Sequence, residues 1–236
     1  MTTVHPTPRR RYHSPSRAAR AAQTRRRIIV AAQDAFLQRG YVQTTLGQVA
    51  RAAGVAPDTV YKVFGSKIQL LKELLDEVVG GDDQPVAVLD RSGPQALRRE
   101  PDQHRQLALL AAGVTEQLER IRPLDDVLLG AAAVDEQAAQ LRAEVQDRQR
   151  RSAMTTIVGW VADRGPLREG PAGGAAADTV WVLTSGEVHR MLRDVAGLSA
   201  DDYRHWLEGQ LISALLPCQC VWHHADAERV TGIEPA

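Results

Sequence analysis

Residues 45–65 read Thr45-Leu46-Gly47-Gln48-Val49-Ala50-Arg51-Ala52-Ala53-Gly54-Val55-Ala56-Pro57-Asp58-Thr59-Val60-Tyr61-Lys62-Val63-Phe64-Gly65. Thr45 and Gln48 stand at the spacing by which a hydroxyl and an amide side chain cap the free backbone groups of a helix start. A short helix with Leu46, Val49, Ala50 and Ala53 inward is expected to follow. Gly54 permits a sharp turn and Val55 plugs it. Pro57 then fixes the first φ of another helix, which Gly65 stops after Phe64. Val60 and Val63 give that helix an apolar back, so Asp58, Thr59 and Lys62 face outward with Tyr61 at the edge. Two short helices joined by a glycine turn let one brace across a duplex while the next enters the major groove. A structural helical hairpin with no DNA role has the same apolar pattern.

Charge weighs against the second reading. Through Leu75 the chain carries 13 Lys and Arg against Asp34, Asp58 and Glu73, a net of +10, and the remainder is therefore −10 because the whole sums to zero. A surface holding Arg25, Arg26, Arg27, Lys62 and Lys67 with few acids is costly to assemble unless phosphates neutralise it. Upstream, Ile28, Ala32, Ala35 and Phe36 form the apolar face of a first helix expected from Thr24 to Arg39, which Gly40 ends. Downstream, Ser66 and Gln69 repeat the cap spacing and open a fourth helix with Leu70, Leu71, Leu74 and Leu75 available for packing.

Taken together, Arg27-Ile28-Ile29-Val30-Ala31-Ala32, Gly40-Tyr41, Thr44-Thr45-Leu46, Val49-Ala50, Ala53-Gly54-Val55, Thr59-Val60-Tyr61, Phe64 and Ser66-Lys67 resemble the N-terminal signature of the TetR family of transcriptional regulators. The resemblance covers about residues 25 to 75 and is specific because it fixes many offsets. It implies phosphate contacts for Thr45, Tyr61 and Lys67, and base-edge or groove contacts for Pro57, Asp58, Thr59 and Lys62. It also implies a homodimer on double-stranded operator DNA and a small-molecule effector. One departure is Ala56, where the family often has Ser, so the reading helix lacks a side-chain cap worth ~1 kcal/mol. Asp58 is open to two readings: it accepts a hydrogen bond from a cytosine amino group, or it only supports the helix start.

Arg9, Arg10 and Arg11 lie on a segment broken by Pro6, Pro8 and Pro15, and are expected to form an arm that reaches a minor groove or phosphates. The expected organisation is a basic flexible arm over 1–23, a TetR-type helix-turn-helix head over 24–79, a helical ligand-binding and dimerisation domain over 95–217, and a loose tail over 218–236. The fold class is all-α, since strand alternation is missing and Ala, Leu, Arg and Gln abound.

In the second domain, Leu107, Leu110, Ala111, Val114, Leu118 and Ile121 predict a helix ending before Pro123, and Leu124, Val127, Leu128 and Ala131 another. A longer helix is expected from Asp135 to Arg164, with Arg148, Arg151 and Ser152 facing either a cavity or solvent. Ala177, Trp181, Thr184, Val188, Met191 and Val195 alternate steps of four and three, as a lengthwise packing seam does. Ser199 and Asp202 then cap a last helix with Tyr203, Trp206, Leu207, Gln210, Leu211 and Ala214 on one side. The resemblance implies that the last two long helices pair between subunits, which makes Trp181, Val188, Met191, Tyr203, Trp206, Leu207 and Leu211 the expected dimer interface.

No nucleophile elbow, phosphate loop or HExxH zinc motif occurs, so no catalytic residue, cofactor or metal site is assigned. Cys218, Cys220, His223 and His224 have ligand-like side chains, but Cys-x-Cys followed by adjacent histidines is not a usual structural zinc spacing. No apolar run approaches a membrane span and no secretory signal is recognisable, so a soluble, cytoplasmic protein is expected. The competing readings are a ligand-independent architectural DNA binder, and an enzyme in the helical domain, for which convergent titratable side chains are lacking.

Overall fold

The computed structural model describes residues 15–81, 84, 86–168 and 175–217, and among them every regular element is a helix. The helices are α1 (Pro15–Gln43), α2 (Leu46–Ala53), α3 (Pro57–Phe64), α4 (Lys67–Gly80), α5 (Ser92–Arg99), α6 (Gln103–Ala132), α7 (Glu136–Arg142), α8 (Arg150–Ala162), α9 (Ala175–Leu183), α10 (Gly186–Arg190) and α11 (Ala200–Leu215). Two π-helical stretches, Ala143–Gln149 and Met191–Val195, follow α7 and α10. The all-α class expected from composition is what is found.

The chain forms two compact units. The first comprises the residues up to Arg91 together with Glu116–Arg150, and the second comprises Ser92–Thr115 together with the residues from Arg151 onward. The first is built around Ile28, Phe36, Val49, Val60, Leu70, Leu71 and Leu74, joined in one apolar cluster by Leu124, Leu128 and Leu141. Part of the chain that sequence order placed in the regulatory domain thus completes the core beneath the helix-turn-helix. The second unit buries Leu107, Leu110, Ile157, Val161, Val180, Leu207 and Leu211. Buried Gln106 ties its elements together, its amide donating to the carbonyls of Leu97 at 3.1 Å and Trp160 at 3.4 Å.

Several expectations are corrected. The first helix starts at Pro15, nine residues ahead of Thr24, because Ala18, Ala19, Ala21 and Ala22 are strong helix formers. Pro123 does not break α6. It occupies an exposed position while Ile121 and Leu124 on either side are buried, so tertiary packing overrides the missing backbone hydrogen bond. The 177–195 seam is interrupted, for Ser185 caps α10 by accepting from the Val188 amide. Val63, expected on the apolar back of α3, is 40% exposed, and Val60 and Phe64 alone anchor that helix. On α11 the buried residues are Tyr203, Leu207, Leu211 and Leu215, while Gln210 is exposed. Arg148, Arg151 and Ser152 face solvent, which settles the choice left open by the sequence.

Candidate nucleic-acid interface

The helix-turn-helix is set by local chemistry. Thr45 accepts from the Gln48 amide at 3.2 Å while the Thr45 amide donates to the Gln48 side chain at 2.9 Å, the reciprocal cap expected for α2. Gly54 closes α2 in the left-handed conformation, φ +64°, with its amide donating to Arg51. Ala56 lies in the cap position of α3 with extended backbone and no side-chain bond, and Pro57 opens the helix. Behind this motif, Gly40 takes φ +73° and ψ 173° inside α1, a combination that turns the chain so that Tyr41 stacks on Phe36 with ring centroids 5.9 Å apart. Buried Thr44 fixes the same turn by donating to the carbonyls of Gly40 and Ala35.

The outward face of α3 carries most of the residues expected there. Pro57, Asp58, Tyr61 and Lys62 are exposed, Thr59 is half-buried, and the Tyr61 ring is 55% exposed, which excludes a core role for it. Thr45 is exposed at the start of α2, leaving its outer side clear of the core.

Lys67 stands apart from that group. Its ammonium donates to the Tyr41 carbonyl at 2.9 Å and lies 4.1 Å above the Tyr41 ring. Burial lowers the Lys67 pKa, and Asp135 opposes that shift. Burial also pushes the Tyr41 hydroxyl up to about 12, with Asp135 adding to it. Lys67 therefore binds the start of α4 to the end of α1, under the influence of the residue that caps α7. Sequence reasoning missed this link because Asp135 is 68 positions distant from Lys67.

Arg25 is also committed elsewhere. It pairs with Glu73, lies 3.9 Å from Glu77 and covers the Phe64 ring at 5.0 Å, so it buttresses α1 against α4. Arg26 and Arg27 instead border a groove of about 530 Å³ between α1 and α2, with Gln23, Asp34 and Gln48 among its other walls.

The expected dimer residues divide into two sets. Tyr203, Leu207 and Leu211 are fully buried within the single chain and have no surface left to offer a partner, a correction to that assignment. Trp181, Val188 and Trp206 are half-buried, and Met191 is 65% exposed. Sequence reasoning missed exposed Val182 and placed Val195, 85% exposed, in the packing seam. Arg9, Arg10, Arg11, Cys218, Cys220, His223 and His224 lie outside the described residues. Among the described residues, no helix is long and apolar enough to cross a membrane and no cluster of three or more His, Cys, Asp or Glu could hold a metal.

A capped brace helix, a left-handed glycine turn and an exposed second helix, all seated on a closed apolar core, define a helix-turn-helix head on an all-helical chain. Residues 28–74 match the family model described as bacterial regulatory proteins, tetR family. The HTH-type transcriptional regulator TtgR of Pseudomonas putida is 43% identical over 58 residues, 25% of this chain and 28% of that protein, so the match spans little more than a quarter of the relative's length. The fold extends further than the sequence identity. NalD, the secondary repressor of the MexAB-OprM multidrug efflux pump in Pseudomonas aeruginosa, superposes with a TM-score of 0.64 at 24% identity, covering 84% of this chain and 99% of NalD. The SmeT–triclosan complex superposes with a TM-score of 0.63 at 21% identity, over 83% of this chain and 93% of SmeT. The N-terminal head thus matches the tetR-family model over residues 28–74, and the fold of the chain is like that of these solved structures.

Proposed function

We propose that this protein is a sequence-specific transcriptional regulator that binds a near-palindromic operator as a homodimer and acts as a repressor released by a small-molecule effector. The observation that carries the reading is the outward face of α3: Pro57, Asp58, Tyr61 and Lys62 are exposed while Val60 and Phe64 hold the helix rigidly to the core. A short helix presented in this way reads only a few base pairs, so two copies on two half-sites are needed for useful specificity. Thr45 and Tyr61 take phosphates, Thr59 and Lys62 take base edges, and Lys67 holds the head in shape while keeping donors available to a phosphate.

Repression and effector release are supported by the fold likeness to NalD, a repressor, and to SmeT, whose solved structure is a complex with triclosan. An effector acts only by favouring one of two head spacings, so its binding and operator binding must weaken each other by the same factor.

Sequencing duplex fragments selected by the purified protein tests specificity, symmetry and half-site spacing together. A two-fold symmetric motif is expected. Equal retention of all sequences would instead establish an architectural binder. With the motif in hand, loss of operator binding on titration with triclosan tests release.

A further inference from the structure

The first turns of α1 do not pack on the described structure. Residues 17–23 are all exposed, and only from Thr24 and Arg25 onward does the helix begin to bury surface. No acidic residue precedes Asp34 in the chain. Arg17, Arg20 and Arg27 fall within about 80° of one another on a helix of 3.6 residues per turn, so they form one stripe. Among the described residues none of them has an ion-pair partner, whereas Arg25 on another face is paired with Glu73. The stripe ends at the reading motif: a guanidinium nitrogen of Arg27 lies 3.9 Å from where a Cβ on Gly54 would stand, three residues ahead of α3.

We infer that the N-terminal overhang of α1 is a rigid phosphate-binding extension of the reading head, with Arg17 and Arg20 engaging duplex DNA that flanks the operator. The inference rests on the proposed DNA-binding function. Charge selects the partner, because an acid-free arginine stripe offers donors suited to successive phosphates. From Pro15 to Thr24 the helix extends about 13 Å, the axial rise over which one strand of a duplex presents roughly four phosphates. A membrane surface fits less well, since the exposed segment has only alanine as apolar content and no Trp, Phe or Leu to insert. Helix formation in the free protein also reduces the ordering cost that a disordered arm meets on binding.

The test uses the full chain, its Arg17→Gln/Arg20→Gln double variant and the Arg17→Lys/Arg20→Lys variant. Each is titrated at several salt concentrations against the selected operator, trimmed to the motif or extended by ten base pairs on both sides. On the extended duplex the glutamine variant is expected to bind more weakly, with the slope of log affinity against log salt reduced by about 0.9 for each phosphate no longer neutralised, so by about 1.8 per protomer. The lysine variant should keep most of the slope, and all three proteins should agree on the trimmed duplex. Matching affinities and slopes on the extended duplex would overturn the inference, as would persistence of the glutamine variant's weaker binding on the trimmed one. Binding to vesicles of anionic phospholipid that depends on both arginines, with an unchanged DNA slope, would overturn it in favour of a membrane. If the unaltered protein ignores every duplex at low salt, the proposed function itself fails. The substituted positions are exposed and glutamine is a good helix former, so circular dichroism should show an intact helix in both variants.

Discussion

Gly40 and Gly54 both take positive φ, yet they differ in what a side chain would cost there. A Cβ on Gly40 would meet nothing within 4 Å, and one on Gly54 would meet only an Arg27 guanidinium nitrogen at an ordinary 3.9 Å. Steric crowding is therefore not the issue at either site. Gly54 lies in the left-handed helical region, which alanine enters at a cost of about 1 kcal/mol. Gly40, with ψ 173°, occupies a region almost reserved for glycine, where the cost is about 2–3 kcal/mol. Gly40→Ala should thus lower the urea midpoint more than Gly54→Ala. Equal midpoints would mean that the backbone at Gly40 relaxes. Ala56 offers the opposite sign: Ala56→Ser should supply the missing cap of α3 and raise stability by about 0.5–1 kcal/mol, read as a higher Tm. Lys67→Met should leave the Tyr41 carbonyl without its charged donor and cost about 1–2 kcal/mol, and differential scanning calorimetry with no downward shift would refute that role.

At the scale of elements, capping chemistry was legible because it is local. The bounds of α3 depend on Pro57 and Gly65 alone, and the reciprocal Thr45 and Gln48 cap and the Ser66 and Ser199 caps depend on residues three apart; the structure has each of them. What was not legible depends on distant neighbours. Pro123 reads as a break, yet buried Ile121 and Leu124 carry α6 through it. The extra turns of α1 contribute almost no burial, so apolar periodicity could not reveal them, although the run of alanines could have. The continuity of α6 through Pro123 has a measurable consequence. Since the proline removes one helical hydrogen bond from a solvated turn, Pro123→Ala should stabilise the protein by about 1–2 kcal/mol after allowing for the looser unfolded chain. A fall in Tm would show that the proline shapes α6 in a way the core requires. The cap of α11 adds a pH dependence. Hydrogen bonds from Ser199 hold the Asp202 pKa below its usual value, so this stabilisation is complete above the unfolded carboxylate range and is lost as pH falls through the lower folded value. The Asp202→Asn variant should therefore lose stability at neutral pH, with the difference from the unaltered protein narrowing in acid.

For the whole molecule, the charge division along the sequence and the partition of its core describe different boundaries. The basic head is a continuous stretch of chain, but its apolar cluster is completed by Leu124, Leu128 and Leu141, which sequence order assigned elsewhere. Charge is carried by single residues and can be counted, whereas membership of a core is a property of the folded chain. The same distinction governs self-association. Helical spacing selected Tyr203, Leu207 and Leu211 as partner-facing, but spacing identifies an apolar face without saying which neighbour covers it, and these three are covered by their own chain. On α9 and the segment that follows it, Val182, Met191 and Val195 are exposed apolar side chains of the second unit with surface left to bury. Met191→Glu/Val195→Asp should hence shift sedimentation at micromolar concentration from dimer to monomer while leaving helix content intact. Leu207→Ala, by contrast, opens a cavity in the core and should cost about 2–5 kcal/mol before any effect on assembly. If the charged pair leaves a dimer intact, association uses another surface. If the monomeric variant still binds a full operator with unaltered affinity, the two half-sites are not read by a preformed pair.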